Sequence, residues 1–425
     1  MFFPKPNRNL WQLLGPSVLL VAVAINGGEL LLWPNIVARS GFAVIWAVPV
    51  ILLLQAAVNL EIERYVVVTG EDTLQGLLKL HRWLSPIFII SILVSLTWPA
   101  WASSAGAMTG YLLGVPDLNN GIAIVILGIL SLLWQSPRAY ELLESIAKIG
   151  LITVLGIVVF TLATRWESNL LEEVSKGFLN FGNFPTQLDR FSILSALAFG
   201  GVVGVLNLAQ SGWVLKKGYG AAGVANPNQI SWQDPTSRRN FKAWWRLLQK
   251  EHLVVYYLGN VIGIGLLSAL AYVTLKDASV SGFTILTSQV EELGGTLGFL
   301  FGLAVILIFT MAQLTILDAA GALLEQCLQS LGPKRVFSKA RICQALAGVG
   351  AVILGLGSVV ESFTQPVFLL QLSASLSAGV MVIYPLFLLR LNQKLPSDTQ
   401  PGIVNKILVF GCVLFYAGVI AWSFG

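Results

Sequence analysis

Charged residues are scarce in this chain. Only 11% of its 425 residues are Asp, Glu, Lys or Arg, whereas 56% are hydrophobic. Soluble domains carry about 25% charged residues, so this composition excludes an ordinary soluble fold. Long apolar spans predict an all-α integral membrane protein, because a helix satisfies its own backbone hydrogen bonds within a bilayer. The lipid bilayer is therefore the first expected partner.

Cysteine and histidine are also rare. The cysteines are Cys327, Cys343 and Cys412, and the histidines are His81 and His252. The cysteines lack the spacing of a metal site or a disulfide framework. Both histidines fall at predicted cytoplasmic helix ends, so we expect them to lie away from any site. This pattern argues against zinc chemistry and nucleophilic triads, and we expect neither enzymatic activity nor a cofactor.

Eleven apolar spans can be read along the chain, each compatible with the roughly 20 residues that cross a bilayer. They lie near 13–37, 42–67, 84–114, 119–135, 143–164, 190–214, 249–275, 296–328, 342–360, 365–391 and 403–424.

Positive charge is distributed unevenly between the loops. With the N-terminus inside, all but five of the 26 Lys and Arg residues fall in cytoplasmic segments or at their edges. The positive-inside rule therefore predicts a plasma-membrane protein with a cytoplasmic N-terminus and an extracytoplasmic C-terminus. The net charge of +5 reflects this topology, and we see no signal for nucleic-acid binding.

Polar residues and glycines interrupt the first and sixth spans. The first break reads Asn26-Gly27-Gly28-Glu29, and the second runs over 200–212. A charged side chain at the bilayer centre costs about 2.5–3.5 kcal/mol, so such residues usually serve a function. Broken helices in corresponding halves indicate the central site of a transporter. The glycines expected to let the helices break are Gly27, Gly28, Gly201 and Gly204, although helix packing would also explain them.

The two breaks divide the chain into halves of opposite topology. We expect a first five-helix repeat at 10–165, an extracellular connecting loop at 166–189, a second repeat at 190–391 and an additional helix at 403–425. Five-plus-five inverted repeats, with helices 1 and 6 discontinuous, form the LeuT-type arrangement.

Three motifs resemble the Nramp (natural resistance-associated macrophage protein) divalent-metal transporters. They are Gly15-Pro16, the break at 26–29 and Thr69-Gly70-Glu71-Asp72, and the resemblance covers roughly 12–391. The family carries Asp-Pro-Gly-Asn in its first helix, of which only Gly28 is kept here. Its sixth-helix Met-Pro-His is absent from 205–211. Gln365 and Gln371 keep the spacing of two family glutamines, the first of which lies by the metal cage. The chain is similar to a divergent Nramp-related branch, and the resemblance implies a divalent metal as substrate.

Every candidate ligand near the two breaks is an oxygen donor. The expected binding residues are Asn26, Glu29, Asn207, Gln210 and Gln365. Of these, Asn26, Glu29 and Asn207 are the expected metal ligands. Oxygen donors suit Mg²⁺, Ca²⁺ or Mn²⁺, whereas thioether sulfur favours softer metals. We therefore expect a secondary transporter of a hard divalent cation, Mg²⁺ or Mn²⁺ above all, working by alternating access.

Two intramembrane acids are candidates for a proton or second-ion site. Glu29 could carry a proton that the cation expels, or it could be a structural residue bonded to free amides of the broken helix. Asp318 could hold a second ion or a proton, or form a salt bridge. Glu61, Glu63 and Arg64 at the inner end of the second helix are expected to pair with one another or with basic loops.

Two other functions remain open. An ion-coupled transporter of a small organic solute, such as an amino acid, would use the exposed amides of a broken helix to bind a carboxylate. A transporter-like receptor that senses a ligand without moving it is the other alternative.

Overall fold

The computed structural model describes residues 1–6, 27–133, 137–165, 168–275, 280–332 and 337–425. Regular structure within these ranges is helical throughout, which confirms the predicted all-α class. The α-helices are α1 (Trp33–Ser40), α2 (Ala47–Thr69), α3 (Thr73–Leu80), α4 (Leu84–Leu96), α5 (Ala100–Leu113), α6 (Asn119–Leu133), α7 (Pro137–Thr164), α8 (Leu170–Leu179), α9 (Arg190–Ala198), α10 (Ala209–Lys217), α11 (Pro235–Glu251), α12 (Leu258–Leu275), α13 (Thr284–Leu293), α14 (Gly295–Leu331), α15 (Lys339–Gly355), α16 (Pro366–Met381), α17 (Tyr384–Asn392) and α18 (Ile403–Phe424).

Seven helical stretches in the described ranges are long and apolar enough to cross a membrane. They are Leu84–Leu113, Pro116–Leu133, Pro235–Leu275, Gly295–Leu331, Lys339–Ser358, Pro366–Asn392 and Ile403–Phe424. On α6, Val125, Ile129 and Leu132 share one helix face and are exposed, as expected for side chains that contact lipid rather than water. The protein is therefore a multi-pass membrane protein.

Four predicted spans, near 13–37, 42–67, 143–164 and 190–214, are not among these seven stretches. Helix α2 has 23 residues, but it carries Glu61, Glu63 and Arg64. Residues 7–26 contain Asn26 and the beginning of the first span, and they lie outside the described residues. The count of eleven crossings therefore stays a prediction.

The first break is a π-helical turn at Gly28–Leu32 that leads directly into α1. The amides of Leu31 and Leu32 both donate to the Gly27 carbonyl oxygen at 3.2 Å. One carbonyl that accepts two amides marks a widened turn, in which the backbone departs from the α-helical pattern. Glu29 lies inside this turn.

The sixth predicted span is discontinuous, as expected. Helix α9 ends at Ala198, the backbone over 199–203 is not helical, and a 3₁₀ turn at Gly204–Leu208 precedes α10. Gly204 has φ +71°, a left-handed conformation that only glycine adopts without strain. Its position also brings it against Ser377 of α16, so a β-carbon there would lie 3.0 Å from the Ser377 Cβ.

The two breaks are in direct contact. A β-carbon built on Gly28 would lie 1.7 Å from the carbonyl oxygen of Phe199. A β-carbon on Gly27 would lie 3.0 Å from Trp101 Nε1 and from Leu370 Cδ2. Glycine at these positions lets the first break approach the second break, α5 and α16 more closely than any other residue could.

A third irregularity lies between α11 and α12. The segment His252–Tyr257 forms a π-helical turn that packs against α2. Turns of this kind inside α-helices are frequently found at functional sites. This turn was not expected from the sequence.

The described N-terminal residues are held against α11 and the loop that precedes it. Phe3 is fully buried, and its ring lies 4.9 Å from that of Trp232 and 6.2 Å from that of Phe241. The Phe3 amide donates to Ser237 Oγ at 3.0 Å, and its carbonyl accepts from Asn240 Nδ2 at 2.8 Å.

Candidate ion-binding site

Glu29 is the carboxylate that the first break holds at the contact between the two broken helices. Its side chain is fully buried, and neither carboxylate oxygen has a hydrogen-bond partner among the described residues. In the described part of the chain, Glu29 is therefore not bonded to the free amides of the broken helix, which was the structural alternative. An unpaired buried charge is unfavourable by several kcal/mol, so this carboxylate needs either a proton or a cation.

Asn207 lies in the 3₁₀ turn of the second break and is also fully buried. Its Nδ2 donates to Asn59 Oδ1 on α2 at 3.0 Å. Its Oδ1 has no partner in the described ranges. The amide is thus fixed through its nitrogen, and its oxygen is left available for a ligand.

Tyr256 connects the surroundings of Glu29 with those of Asn207. Its side chain lies within electrostatic range of Glu29 and next to Asn59. The Tyr256 hydroxyl donates to Gln55 Oε1 at 2.9 Å, and Gln55 Nε2 donates to the hydroxyl of Tyr416 at 2.7 Å. These contacts form a buried polar region between α2, the π turn after α11 and α18.

Gly201 allows this polar region to reach the second break. A β-carbon on Gly201 would lie 2.3 Å from Gln55 Oε1 and 2.5 Å from the Tyr256 hydroxyl. The expected hinge glycines therefore all make close contacts, since Gly27, Gly28 and Gly204 do so as well. A hinge function at these four positions stays a prediction.

Gln210 is fully buried one helical turn beyond Asn207 and belongs to a different group of residues. Its Nε2 donates to Glu63 Oε1 at 2.7 Å and lies 3.4 Å from His252 Nε2. Its Oε1 has no partner among the described residues. The binding role of Gln210 stays a prediction, and its side-chain nitrogen contacts Glu63 and His252.

His252 and Glu63 are functional candidates that the sequence analysis misplaced. His252 was expected at a peripheral helix end, but its side chain is 1% exposed, and its Nδ1 lies 3.5 Å from Glu63 Oε2. Glu251 is also fully buried. The neighbouring Lys250 suggested a helix end, whereas the helical stretch continues from Pro235 to Leu275. A histidine that follows an acid and a base in sequence carries no local signal of such burial.

Glu61 and Arg64 confirm the expected pairing at the inner end of α2. Arg64 Nε donates to Glu61 Oε2 at 2.9 Å, and the guanidinium lies 3.7 Å from the centroid of a Trp245 ring. Asn392 and Asn405 each donate to a Glu61 carboxylate oxygen, at 2.8 and 2.7 Å. This network ties α2 to α11, α17 and α18.

Gln365 is exposed, unlike the buried residues of the two breaks. It caps the N-terminus of α16 without a side-chain cap bond and is exposed. Gln371, one and a half turns further, donates to Ser192 Oγ on α9 at 2.8 Å. The spacing of the two glutamines therefore did not bring Gln365 into the buried region, and its predicted binding role has no support from its position.

Asp318 forms the salt bridge that the sequence analysis left open. Its Oδ1 is paired with Lys339 Nζ at the beginning of α15, and the two side chains are 28% and 35% exposed. A partly exposed ion pair between α14 and α15 does not resemble the buried surroundings of Glu29.

The segment that runs from the second break into α10 is bound to α2 and to Asp72, the N-cap of α3, by three polar side chains at positions 207, 210 and 211. We call these three bonds the inner contact. Asn207 bonds to Asn59 and Gln210 bonds to Glu63, as described above. Ser211 Oγ donates to Asp72 Oδ2 at 2.5 Å. Positions 207, 210 and 211 share one face, so movement of this segment away from both α2 and Asp72 breaks all three bonds.

Asp72 accepts the Ser211 bond of the inner contact and lies outside the membrane-spanning helices. Its Oδ1 caps α3 by accepting from the Leu74 amide at 2.9 Å. Burial raises the pKa of the Asp72 carboxyl, while bonds from Ser211, Gln75 and Leu74 lower it by less.

The described acids, histidines and cysteines do not form a closed metal cage. No group of three of them within the described ranges could hold a metal ion. A cation at Glu29 would therefore take most of its ligands from amide oxygens, backbone carbonyls and water.

Comparison with solved structures gives matches over nearly the whole chain. A histidine-to-alanine variant of the Eremococcus coleocola manganese transporter has a TM-score of 0.69 at 12% identity, over 99% of this chain and 96% of that one. The same transporter with an aromatic bis-isothiourea substituted compound has a TM-score of 0.67 at 12% identity, with the same coverage. Its glutamate-to-glutamine variant has a TM-score of 0.68 at 11% identity, over 100% of this chain and 97% of that one. No protein-family model and no curated protein sequence matches the chain.

The chain thus has the fold of this manganese transporter, a LeuT-type helical bundle. At 12% identity the likeness establishes the architecture alone. The expected fold class is confirmed.

Proposed function

We propose that this protein is a secondary transporter that moves a hard divalent cation, Mg²⁺ or Mn²⁺, across the plasma membrane by alternating access. The observation that carries the proposal is Glu29, fully buried, with both oxygens unpaired in the described structure, where the two broken helices meet. The shared fold with a manganese transporter supports the same class of substrate.

The ligand chemistry favours a hard cation. Glu29 would supply the one charged ligand and Asn207 an amide oxygen, and Asn26 is proposed as a third ligand. Mg²⁺ gives up its water reluctantly and is commonly held by one or two carboxylates. A partly hydrated cation therefore suits a site with a single carboxylate, and weak binding suits a transporter that must release its substrate.

Alternating access would follow from breaking the inner contact. A hydrogen bond contributes a net stabilisation of about 0.5–1.5 kcal/mol, so three of them hold the closed arrangement by about 1.5–4.5 kcal/mol. Differential binding of a cation in the two states can supply an amount of this size. Gly27, Gly28, Gly201 and Gly204 would let the broken segments move.

Proton coupling follows from the surroundings of Glu29. Without a cation, a proton is the simplest way to neutralise a buried carboxylate. Cation binding would then expel that proton. We also propose that 10–165 and 190–391 form the two inverted repeats, with a cytoplasmic N-terminus and an extracytoplasmic C-terminus.

The test is cation uptake into liposomes that contain the purified protein. Wild-type protein should take up Mg²⁺ or Mn²⁺ saturably, and uptake by Glu29→Gln should fall at least tenfold. Glu71→Gln is the matched control, because Glu71 is half-exposed and paired with Lys79 at 2.9 Å on the surface. It should transport at the wild-type rate.

Three outcomes would contradict the proposal. If the Glu29→Gln protein took up cations at the wild-type rate, the Glu29 carboxylate would not be needed for transport. A wild-type protein that moves none of these cations but moves an amino acid would favour the organic-solute transporter. Binding of a ligand with no movement of any solute would favour the receptor.

A further inference from the structure

A second group of titratable side chains lies buried where α2 meets the end of α11 and the π turn. It comprises Glu63 on α2, Glu251 at the end of α11 and His252 in the π turn, and we call it the inner acid cluster. All three side chains are at most 1% exposed. Glu251 lies within electrostatic range of Glu63, and His252 Nδ1 lies 3.5 Å from Glu63 Oε2.

Gln210 provides an independent indication that the inner acid cluster binds something. This side chain is fully buried, and its Nε2 is directed at Glu63 and at His252. Its Oε1 is an acceptor without a donor in the described ranges. A buried amide whose oxygen stays unsatisfied beside the Glu63 carboxylate lacks one hydrogen-bond donor. One added proton would supply it.

We propose that the inner acid cluster is a proton-binding site, separate from Glu29, in which Glu63 carries the proton. Two carboxylates close together in a dry site do not both ionise readily, and one of them keeps a proton. The described acids and histidines form no group of three that could hold a metal ion, and a shared proton needs no such group. The role of this proton in coupling rests on the proposed transport function, whereas its presence does not.

Other charged and titratable groups near the cluster are already engaged or exposed. On α2, Arg64 is bonded to Glu61 and stacked over Trp245. Tyr256, in the same π turn, has its ring 6.1 Å from that of His252 and donates its hydroxyl to Gln55. On α10, the last-turn residues Lys216 and Lys217 are exposed.

The position of Gln210 connects this proton to the movement of α10. The bond from Gln210 to Glu63 is one of the three bonds of the inner contact, and Asn207 of the second break lies one turn away. When α10 separates from α2, the cluster becomes open to cytoplasmic water and its proton can leave. Tyr256 lies next to His252 and within electrostatic range of Glu29, so the two sites are near enough to influence each other.

The experiment is infrared difference spectroscopy of the full-length protein between about pH 5 and about pH 9, a range that brackets the ordinary pKa of a histidine side chain. The C=O stretch of protonated carboxyl groups is the signal. A Glu29→Gln background removes the contribution of the first site. In that background, a band from a buried protonated carboxyl should be present, and adding Glu63→Gln should remove the component that comes from Glu63. Adding Glu71→Gln should leave it unchanged.

His252→Gln gives a second measurement, the pH at which the band titrates. This pH would not change if Glu63 had only a structural role. The variant should keep the band but change the pH at which the band titrates. An identical band with and without Glu63, or no protonated carboxyl in the Glu29→Gln protein, would overturn the proposal. A wild-type protein without cation transport would overturn the proposed function alone, because the band would still report on Glu63.

Discussion

Replacing Gly28 by alanine tests the contact between the two breaks directly. The new β-carbon would lie 1.7 Å from Phe199 O, 2.6 Å from Phe199 C and 2.8 Å from Phe199 Cβ. Because two of these atoms are backbone, no side-chain rotation can relieve the clash, and one broken segment must move by more than about 1 Å to restore contact distances. Overpacking of this kind costs about 1–3 kcal/mol.

The measurements are thermal unfolding in detergent and cation uptake in liposomes. If the strain falls on the transport-competent arrangement, 1–3 kcal/mol corresponds to roughly a five- to 150-fold loss of uptake, since about 1.4 kcal/mol is tenfold. Gly212→Ala is the control, because a β-carbon there meets nothing within 4 Å and α10 should gain about 1 kcal/mol of helix propensity. Wild-type uptake and stability in the Gly28→Ala protein would refute the direct contact of the breaks.

Three further predictions concern regions away from the breaks. Burial raises the pKa of Asp72 above its ordinary value, so the native state binds the proton more tightly than the unfolded state does. The wild type should therefore gain stability relative to Asp72→Asn as pH falls from 7 towards about 4. A wild-type unfolding temperature that falls relative to that of Asp72→Asn over this range would contradict the predicted sign. Phe3→Ala should destabilise the protein by about 3–5 kcal/mol and expose the N-terminal segment to limited proteolysis, whereas Phe2→Ala should do neither, because Phe2 is 59% exposed. Asp318→Asn should lower stability by at most about 1 kcal/mol, since its pair with Lys339 is partly exposed, and should leave uptake unchanged; lost uptake would restore Asp318 as an ion site.

The breaks could be predicted because they contradict their surroundings. An acid and paired glycines inside an apolar span are unfavourable, so Gly28 and Glu29 marked the first break by composition alone. Gly204 and Asn207 did the same for the sixth span. The rule that polar residues and glycines are unfavourable inside an apolar span depends only on the local sequence, so these residues could be identified without knowing the partner helices.

The rest of the candidate site depends on tertiary contacts. His252 follows a basic and acidic stretch that is typical of a helix end, and its burial comes only from the packing of the π turn on α2. The partner of Asp318, Lys339, lies 21 positions further along the chain, where no helical spacing could indicate it. Gln365 kept a family spacing, yet its side chain is exposed at the N-terminus of α16. Spacing along one helix fixes a face and a turn, but it does not fix the depth of that turn in the bundle.

The most direct test of the account is equilibrium binding of Mn²⁺ to the purified protein, followed by electron paramagnetic resonance of the free ion. Wild-type protein and Glu71→Gln should show one saturable site from which Mg²⁺ displaces Mn²⁺, and Glu29→Gln should lose that site. Unchanged Mn²⁺ binding in Glu29→Gln would contradict the central claim that the carboxylate between the broken helices holds the cation.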